Sequence, residues 1–344
     1  MTATSRTDYR ALGDYVVEVE RLGVDTIWSA EAWGSDAVVP LAYMAARTRT
    51  VRLATGIMQV TARAPAVTAM TAMTLNRASE GRFSLGLGLS GPQVVEGFHG
   101  VRYSRPLERL RETVEVVRAA MAGQRVRLDG NQVRLPLPGG EGKALRIALP
   151  PQPDVPILLA ALGPKALAMT GAIADGWVGT CFVPETGHHY LEHLAAGAAS
   201  AGRTLDGFQI SAGGPLAFAD DATRLLTGRK RHLAFQLSAM GSPQTNFYNN
   251  AFSRIGFAEA AAEVRRLWLD GHHEAAVSAV PDELAVRTSL IGTPADVRER
   301  VRAYRAAGVT MLQAQPGGRT PAQRLDDIGQ LVDIVREVDA EATG

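Results

Sequence analysis

Cysteine is almost absent from this 344-residue chain, with Cys181 standing alone. No internal disulfide framework and no cysteine-based zinc site can be assembled from one thiol, and a reduced intracellular setting is expected. An excess of charge is also missing. Lys and Arg number 36 against 35 Asp and Glu, a formal net charge of +1, and no basic block interrupts the sequence. A nucleic-acid partner is therefore not expected. No apolar run approaches the roughly 18 residues of a membrane helix. Met1 to Arg10 is polar and lacks the apolar core of a signal peptide. A soluble, cytoplasmic protein without membrane contact is expected. No Gly-x-Ser-x-Gly elbow, Walker-type loop, internal repeat or low-complexity array is present.

What remains is an ordinary globular chain, 46% apolar, long enough for a substantial core. It repeats one local grammar: an amphipathic helix, a glycine, then a short apolar strand. Leu12 to Leu22 ends at Gly23 and leads into Val24 to Trp28. Val67 to Ser79 ends at Gly81, before Phe83 to Leu87. Lys165 to Ala174 ends near Gly176, before Trp177 to Thr180, and Val297 to Ala307 ends at Gly308, before Val309 to Leu312. Glycine past a helix end supplies the left-handed cap. Arg52 to Thr55, Ile157 to Ala160 and Phe208 to Ala212 are further strand candidates, which makes about seven strands alternating with helices. Such alternation implies parallel βαβ units.

The expected architecture is α/β: a (β/α)8 TIM barrel forming a single domain over 1–344, with an open doubly wound sheet as the alternative. Insertions are expected at about 89–110, 124–156 and 218–265. Gln124 to Leu137 reads as a hairpin turning at Asp129-Gly130-Asn131. The first barrel strand is apparently missing or trimmed, because the opening helix begins close to Arg10 and Met1 to Arg6 is short and polar.

Two neighbouring strand ends dissolve into small residues, Thr55-Gly56-Ile57 and Leu85-Gly86-Leu87-Gly88-Leu89-Ser90-Gly91. Barrel enzymes build their sites at strand C-termini, and bare main chain near Gly56 and Gly88 leaves room there for a flat ring. A tight βα turn is the ordinary explanation. Gly163-Pro164-Lys165 follows a buried strand where a helix starts, so amides and a lysine face an anion, or simply begin a helix. Glu31 follows the strand ending at Trp28-Ser29 and is a candidate for proton transfer or ring binding; Trp33 is a pocket wall or a core residue. Glu96 and His99 follow the glycine segment, and a histidine there can exchange protons near neutral pH. His188-His189-x-x-x-His193 has metal-like spacing but no carboxylate motif, so no metal site is expected. His272-His273 reads as a turn, and Phe247, Tyr248 and Trp268 as pocket or core residues.

Together these residues resemble the luciferase-like monooxygenase superfamily, and within it the branch that uses the deazaflavin coenzyme F420. The marks are Gly23-Val24-Asp25-Thr26-Ile27-Trp28 with Glu31, Thr55-Gly56-Ile57, Gly81-Arg82-Phe83 running into Leu85 to Gly88, Ser90 to Gly97, and Ala174-Asp175-Gly176-Trp177 ending at Thr180, with echoes at Leu290 to Pro294 and Ala307-Gly308-Val309. The resemblance implies a non-proline cis peptide at Gly56-Ile57, bulging against the ring face. It implies that Glu31 stands where relatives place an aspartate near the cofactor. Gly88, Leu89, Ser90 and Gly91 would line the ring, and Gly163, Pro164 and Thr180 would hold the cofactor's side chain and phosphate; Lys165 is added here as a partner for the anionic tail. The histidine beside the aspartate in sugar-phosphate dehydrogenases of the group is replaced by Ala32, and their acid at the end of the glycine segment by Ser90 or Gly91. A glucose-6-phosphate substrate is not expected.

The implied activity is hydride transfer between F420 and a small organic substrate, with Glu31, Ser90, Glu96 and His99 as candidates for proton supply or orientation. FMN-dependent monooxygenation on the same fold is one alternative; a non-catalytic barrel serving as a binding or structural protein is another. A homodimer is implied by analogy with relatives.

Overall fold

The computed structural model describes residues 8–241 and 246–341. In chain order its helices and strands are α1 (Tyr9–Arg21), β1 (Thr26–Ser29), α2 (Val38–Arg47), β2 (Arg52–Thr55), β3 (Met58–Gln59), α3 (Pro65–Ala78), β4 (Phe83–Gly88), α4 (Pro92–Gly97), α5 (Pro106–Met121), β5 (Leu128–Asp129), β6 (Arg134–Leu135), β7 (Ile157–Ala160), α6 (Pro164–Ile173), β8 (Gly176–Val178), α7 (His188–Ser200), β9 (Gln209–Phe218), α8 (Thr223–Ser238), α9 (Phe247–Phe252), α10 (Ala258–Leu269), α11 (His273–Ser278), α12 (Asp282–Arg287), β10 (Leu290–Gly292), α13 (Pro294–Ala306), β11 (Met311–Pro316) and α14 (Pro321–Glu341). This is the expected α/β alternation. The stretch where an opening strand would stand, residues 1–7, lies outside the described residues, as do 242–245 of the helical insertion.

The chain divides into two compact units. The first holds Met1–Ala160, Met169–Trp177 and Ala201–Arg203; the second holds Ala161–Ala168, Val178–Ser200 and Thr204–Gly344. In the first unit, β1, β2, β4 and β7 lie side by side in that order, all parallel, with β3 also on β4. Buried Ile27, Leu53, Phe83, Leu85, Leu87 and Ile157 to Leu159 supply their core. β4 is buried at every position, as expected of a parallel strand covered on both faces. The expected hairpin is present as the antiparallel pair β5 and β6, Leu128 opposite Leu135. It is anchored by Glu112, fully buried on α5, whose carboxylate accepts from the amides of Asn131, Gln132 and Val133 at 3.0, 2.9 and 2.7 Å.

In the second unit β9 runs between β10 and β11, parallel to both. Two glycines let β9 approach them closely: a methyl group on Gly213 would lie 1.9 Å from Gln313 O, and one on Gly214 would lie 2.2 Å from Thr288 O. β9 is longer than the expected Phe208 to Ala212, and β10, at three residues, is too short to show a pattern in sequence. The helix–glycine–strand grammar holds at Gly23, Gly81 and Gly308, which take φ of +89°, +87° and +82°. It fails at Gly176, which is an ordinary residue of β8.

Candidate active site

The centre of the first unit is the connection between β2 and β3. The Gly56–Ile57 peptide is cis, as the resemblance implied. Four hydrogen bonds bracket it. Gly56 N donates to Ser29 O at 2.7 Å, and Glu31 N donates to Ile57 O at 3.2 Å. Gln59 N donates to Glu31 Oε1 at 2.9 Å, and Gln59 Nε2 donates to Glu31 O at 3.1 Å. β1 and the residues after it thus hold the bulge at both ends.

The glycines play a different part from the one expected. A methyl group on Gly56 would lie 2.8 Å from Trp28 Cε3, and one on Gly88 would lie 2.8 Å from Ile57 Cδ1. The room left by the missing side chains is filled by Trp28 and Ile57, so Gly56 and Gly88 shape the bulge rather than clear space for a ring. Gly86 lies hard against β2. Its Cβ would lie 1.9 Å from Thr55 O, while its N–H donates to Thr55 Oγ1 and its carbonyl accepts from the same hydroxyl, both at 2.8 Å.

Glu31 is nearly buried, its side chain 7% exposed, and its carboxylate is fully engaged. Besides the Gln59 amide it accepts from Arg63 Nη1 at 2.7 Å and from Ala37 N at 3.3 Å. Two main-chain amides and a guanidinium aim this carboxylate at its own protein. Glu31 therefore acts as a clasp joining the bulge to the start of α2. Gln59, Arg63 and Thr61 were missed in the sequence; a run of polar residues placed directly after a strand end was the only available signal. Gln59 carries one further mark: it is 2% exposed, and its Oε1 has no hydrogen-bond partner. An orphaned buried acceptor is costly unless a ligand or water completes it.

Ser90, Gly91, Glu96 and His99 follow β4 in the same unit. Ser90 adopts a left-handed φ of +59°, uncommon for a residue with a side chain. Leu89 precedes it outside any helix or strand, and Gly91 caps α4. Glu96 Oε1 accepts from Tyr103 N at 2.9 Å, closing the 96–103 loop. Tyr103 lines up with Ser90 O at 3.5 Å, and burial pushes its phenol above the ordinary range. The His99 Nδ1 and Thr61 Oγ1 atoms are 2.8 Å apart, which joins His99 to the loop that carries Gln59 and Arg63. Glu31 and His99, far apart in sequence, are thus brought to one loop. Trp33 is exposed, neither core nor buried wall.

In the second unit, Gly163, Pro164 and Lys165 stand where α6 begins. A cavity of about 260 Å³ opens there, lined by Leu162, Pro164, His189, Tyr190, His193 and Arg254 among others. Lys165 is exposed and does not line it; Thr180 is exposed too. The Tyr190 phenol, raised by burial and bonded to Cys181 O at 3.0 Å, stays neutral. No carboxylate lines this cavity, and two imidazoles, a guanidinium and a helix start offer donors of the kind an anion needs. The sequence singled out His189 and His193 only for their metal-like spacing and gave no sign of Arg254. Among the described residues no group of three His, Cys, Asp or Glu gathers at metal-binding distance. Trp268 packs inside the helical insertion, stacked on His273 at 4.4 Å and edge-on to Phe235. His273 begins α11 rather than forming a turn.

The architecture recurs in known proteins. A secondary alcohol dehydrogenase solved with an F420–acetone adduct shares the fold at TM-score 0.76 and 16% identity, covering 97% of this chain and 98% of that one. The tetrahydromethanopterin reductase of Methanopyrus kandleri, F420-dependent by its description, does so at TM-score 0.78 and 21% identity over 98% of this chain and 97% of its own. These likenesses show the α/β barrel fold expected from the alternation. A Mycobacterium tuberculosis protein, assigned by name to the coenzyme F420-dependent oxidoreductases, is 39% identical over 327 residues, 93% of each chain. The family model of the luciferase-like monooxygenases matches residues 1–311. The chain belongs to the luciferase-like monooxygenase family.

Proposed function

We propose that this protein transfers a hydride between coenzyme F420 and a small organic substrate. The observation that carries the reading is the orphaned Gln59 Oε1 beside the Gly56–Ile57 bulge. A deazaflavin has an imide N–H on its pyrimidine edge, and an unpaired buried acceptor is the group such an edge requires. The relatives named for F420 support the choice of that cofactor over FMN, since the residues of the bulge suit either ring.

When bound, the deazaflavin supplies the carbon that gives or takes the hydride, and the protein contributes position and electrostatics. In this reading Ile57, backed by Gly88, presents an apolar face to the ring, and Gln59 Oε1 accepts the imide proton. Leu89, Ser90 and Gly91 border the ring. Glu31 and Arg63 keep the bulge in register. His99, oriented by Thr61, is the group that moves a proton at the substrate, with Ser90 and Glu96 shaping its loop. In the second unit, the start of α6 at Gly163 and Pro164 joins His189, His193 and Arg254 as donors for an anionic group, while Lys165 and Thr180 stay outside that cavity. A homodimer and a cytoplasmic setting belong to the same proposal. Exposed Val39 on α2 and exposed Val67 and Met70 on α3 give two mutually packed helices an apolar outer face suited to a second copy.

Titration with F420 and with FMN, followed by fluorescence, tests the reading. Expected is saturable F420 binding, about tenfold weaker in Gln59→Leu, and turnover of an unsaturated or alcohol substrate. Tight FMN binding without F420 binding would make the protein a flavin monooxygenase instead. Failure of both cofactors to raise the thermal midpoint would leave a non-catalytic barrel, because a ligand of the native state must stabilise it.

A further inference from the structure

A second cavity in the first unit, about 270 Å³, is separate from every residue assigned above except Thr61 and Arg63. Val60, Val101 and Val133 give it apolar walls, while Arg63, Arg109 and Thr113 supply its polar groups together with Thr61. No acidic residue lines it. Arg63 is neutralised by Glu31. Arg109 is not neutralised: its only side-chain hydrogen bond goes to the uncharged Gln132 Oε1 at 3.0 Å, and it forms no ion pair among the described residues.

Thr113 is the second sign. It is 1% exposed, and its hydroxyl has no partner. Hydroxyls inside other helices of this chain return to the carbonyl four residues back at Thr68, Thr74, Thr227 and Ser278. Thr113 declines that bond although it sits in the middle of α5. A buried donor left unpaired beside an uncompensated guanidinium marks a place prepared for an acceptor. The fourteen-residue helix α3 begins at the same cavity, at Ala64 and Pro65, with no side-chain cap on its first amides.

We infer that this cavity binds a small organic carboxylate with an aliphatic body. The carboxylate accepts from Arg109 and from the Thr113 hydroxyl, and the aliphatic chain lies against the three valines. Inorganic phosphate, which has no apolar part, leaves those walls uncovered and binds worse. The inference needs no cofactor and stands apart from the proposed hydride transfer.

Isothermal titration of the full-length protein without cofactor tests it, using hexanoate, hexanol and inorganic phosphate as probes. Hexanoate is expected to bind at least tenfold more tightly than hexanol or phosphate. Arg109→Gln and the near-isosteric Thr113→Val are each expected to weaken hexanoate about tenfold, which corresponds to about 1.4 kcal/mol. Thr113→Val should leave the thermal midpoint of the free protein unchanged or raised, because it removes a hydroxyl that bonds to nothing. That variant keeps the test open even if Arg109→Gln fails to fold. Equal binding of hexanol and hexanoate, tighter binding of phosphate, or full hexanoate affinity in Thr113→Val would overturn the inference.

Discussion

The bulge at Gly56–Ile57 and the cavity at the start of α6 make opposite use of their polar groups. Around the bulge nearly every donor and acceptor is matched internally: Glu31 takes three bonds, Gly56, Ile57 and Gln59 one or more each, and a single oxygen is left over. Around the α6 cavity the side chains of Arg254, His189 and His193 have no carboxylate lining to satisfy them. The contrast separates a frame, whose geometry must be kept, from a receptor, whose charges await a ligand. Frame residues should report in stability, and receptor residues in affinity alone.

The sharpest way to break the frame is Gly86→Ala. Its new methyl would strike Thr55 O, which as main chain of β2 cannot step aside, and the loss is expected to reach about 3 kcal/mol or prevent folding. Urea denaturation measures it, with Gly163→Ala as a control, since no atom lies near the Cβ position there. Next comes Arg63→Ala. It strips a buried carboxylate of the one cation paired with it among the described residues, so a loss of about 3 kcal/mol in unfolding free energy by urea denaturation is expected, with F420 affinity falling in parallel. Arg254→Ala tests the other side of the comparison. It should shift stability by no more than about 0.5 kcal/mol yet weaken the binding of inorganic phosphate roughly tenfold, while a deazaflavin lacking the phosphate and acidic tail binds wild type and variant alike. Equal loss for both ligands would make Arg254 a frame residue.

A smaller effect sharpens the frame by pH. Burial alone would raise the Glu20 carboxyl, but hydrogen bonds from the amides of Thr50, Val51 and Arg49 and from the Thr50 hydroxyl outweigh it and bring the value from 4.5 to about 2. A lowered carboxylate stabilises the native state above the unfolded value and loses that contribution as pH falls through the folded one. Glu20→Gln should therefore lower the thermal midpoint at pH 6, and its difference from wild type should shrink between about pH 4.5 and pH 2. Smallest of all, Cys181 is sealed and burial pushes its thiol up to about 12, so a thiol reagent should modify it only after denaturation.

Much of the frame was legible in sequence because it rests on local rules. Helix ends with Gly23, Gly81 and Gly308, the exact spans of β2 and β7, and the hairpin turn follow from backbone preference and apolar runs. β3 and β10 escaped because two or three residues carry no period. The site was legible only in part. Glycines announced the bulge but not its filling, since Ile57 and Trp28 meet Gly88 and Gly56 through pairings distant in sequence. Glu31 was found as a carboxylate at a strand end, yet its work as a clasp depends on Arg63, 32 residues later. Arg254 and the two histidines come from separate segments and share no spacing that a linear reading detects.

Glu112 has a consequence for how the hairpin can change. It grips residues 131–133 solely by their peptide nitrogens, so the mooring is indifferent to which side chains those positions display. The exposed position 131 can change its side chain without casting the loop adrift, while Val133 stays tied to its buried surroundings. A hairpin fastened in this way is a place where related chains are free to diverge in what they recognise, on a backbone that stays put.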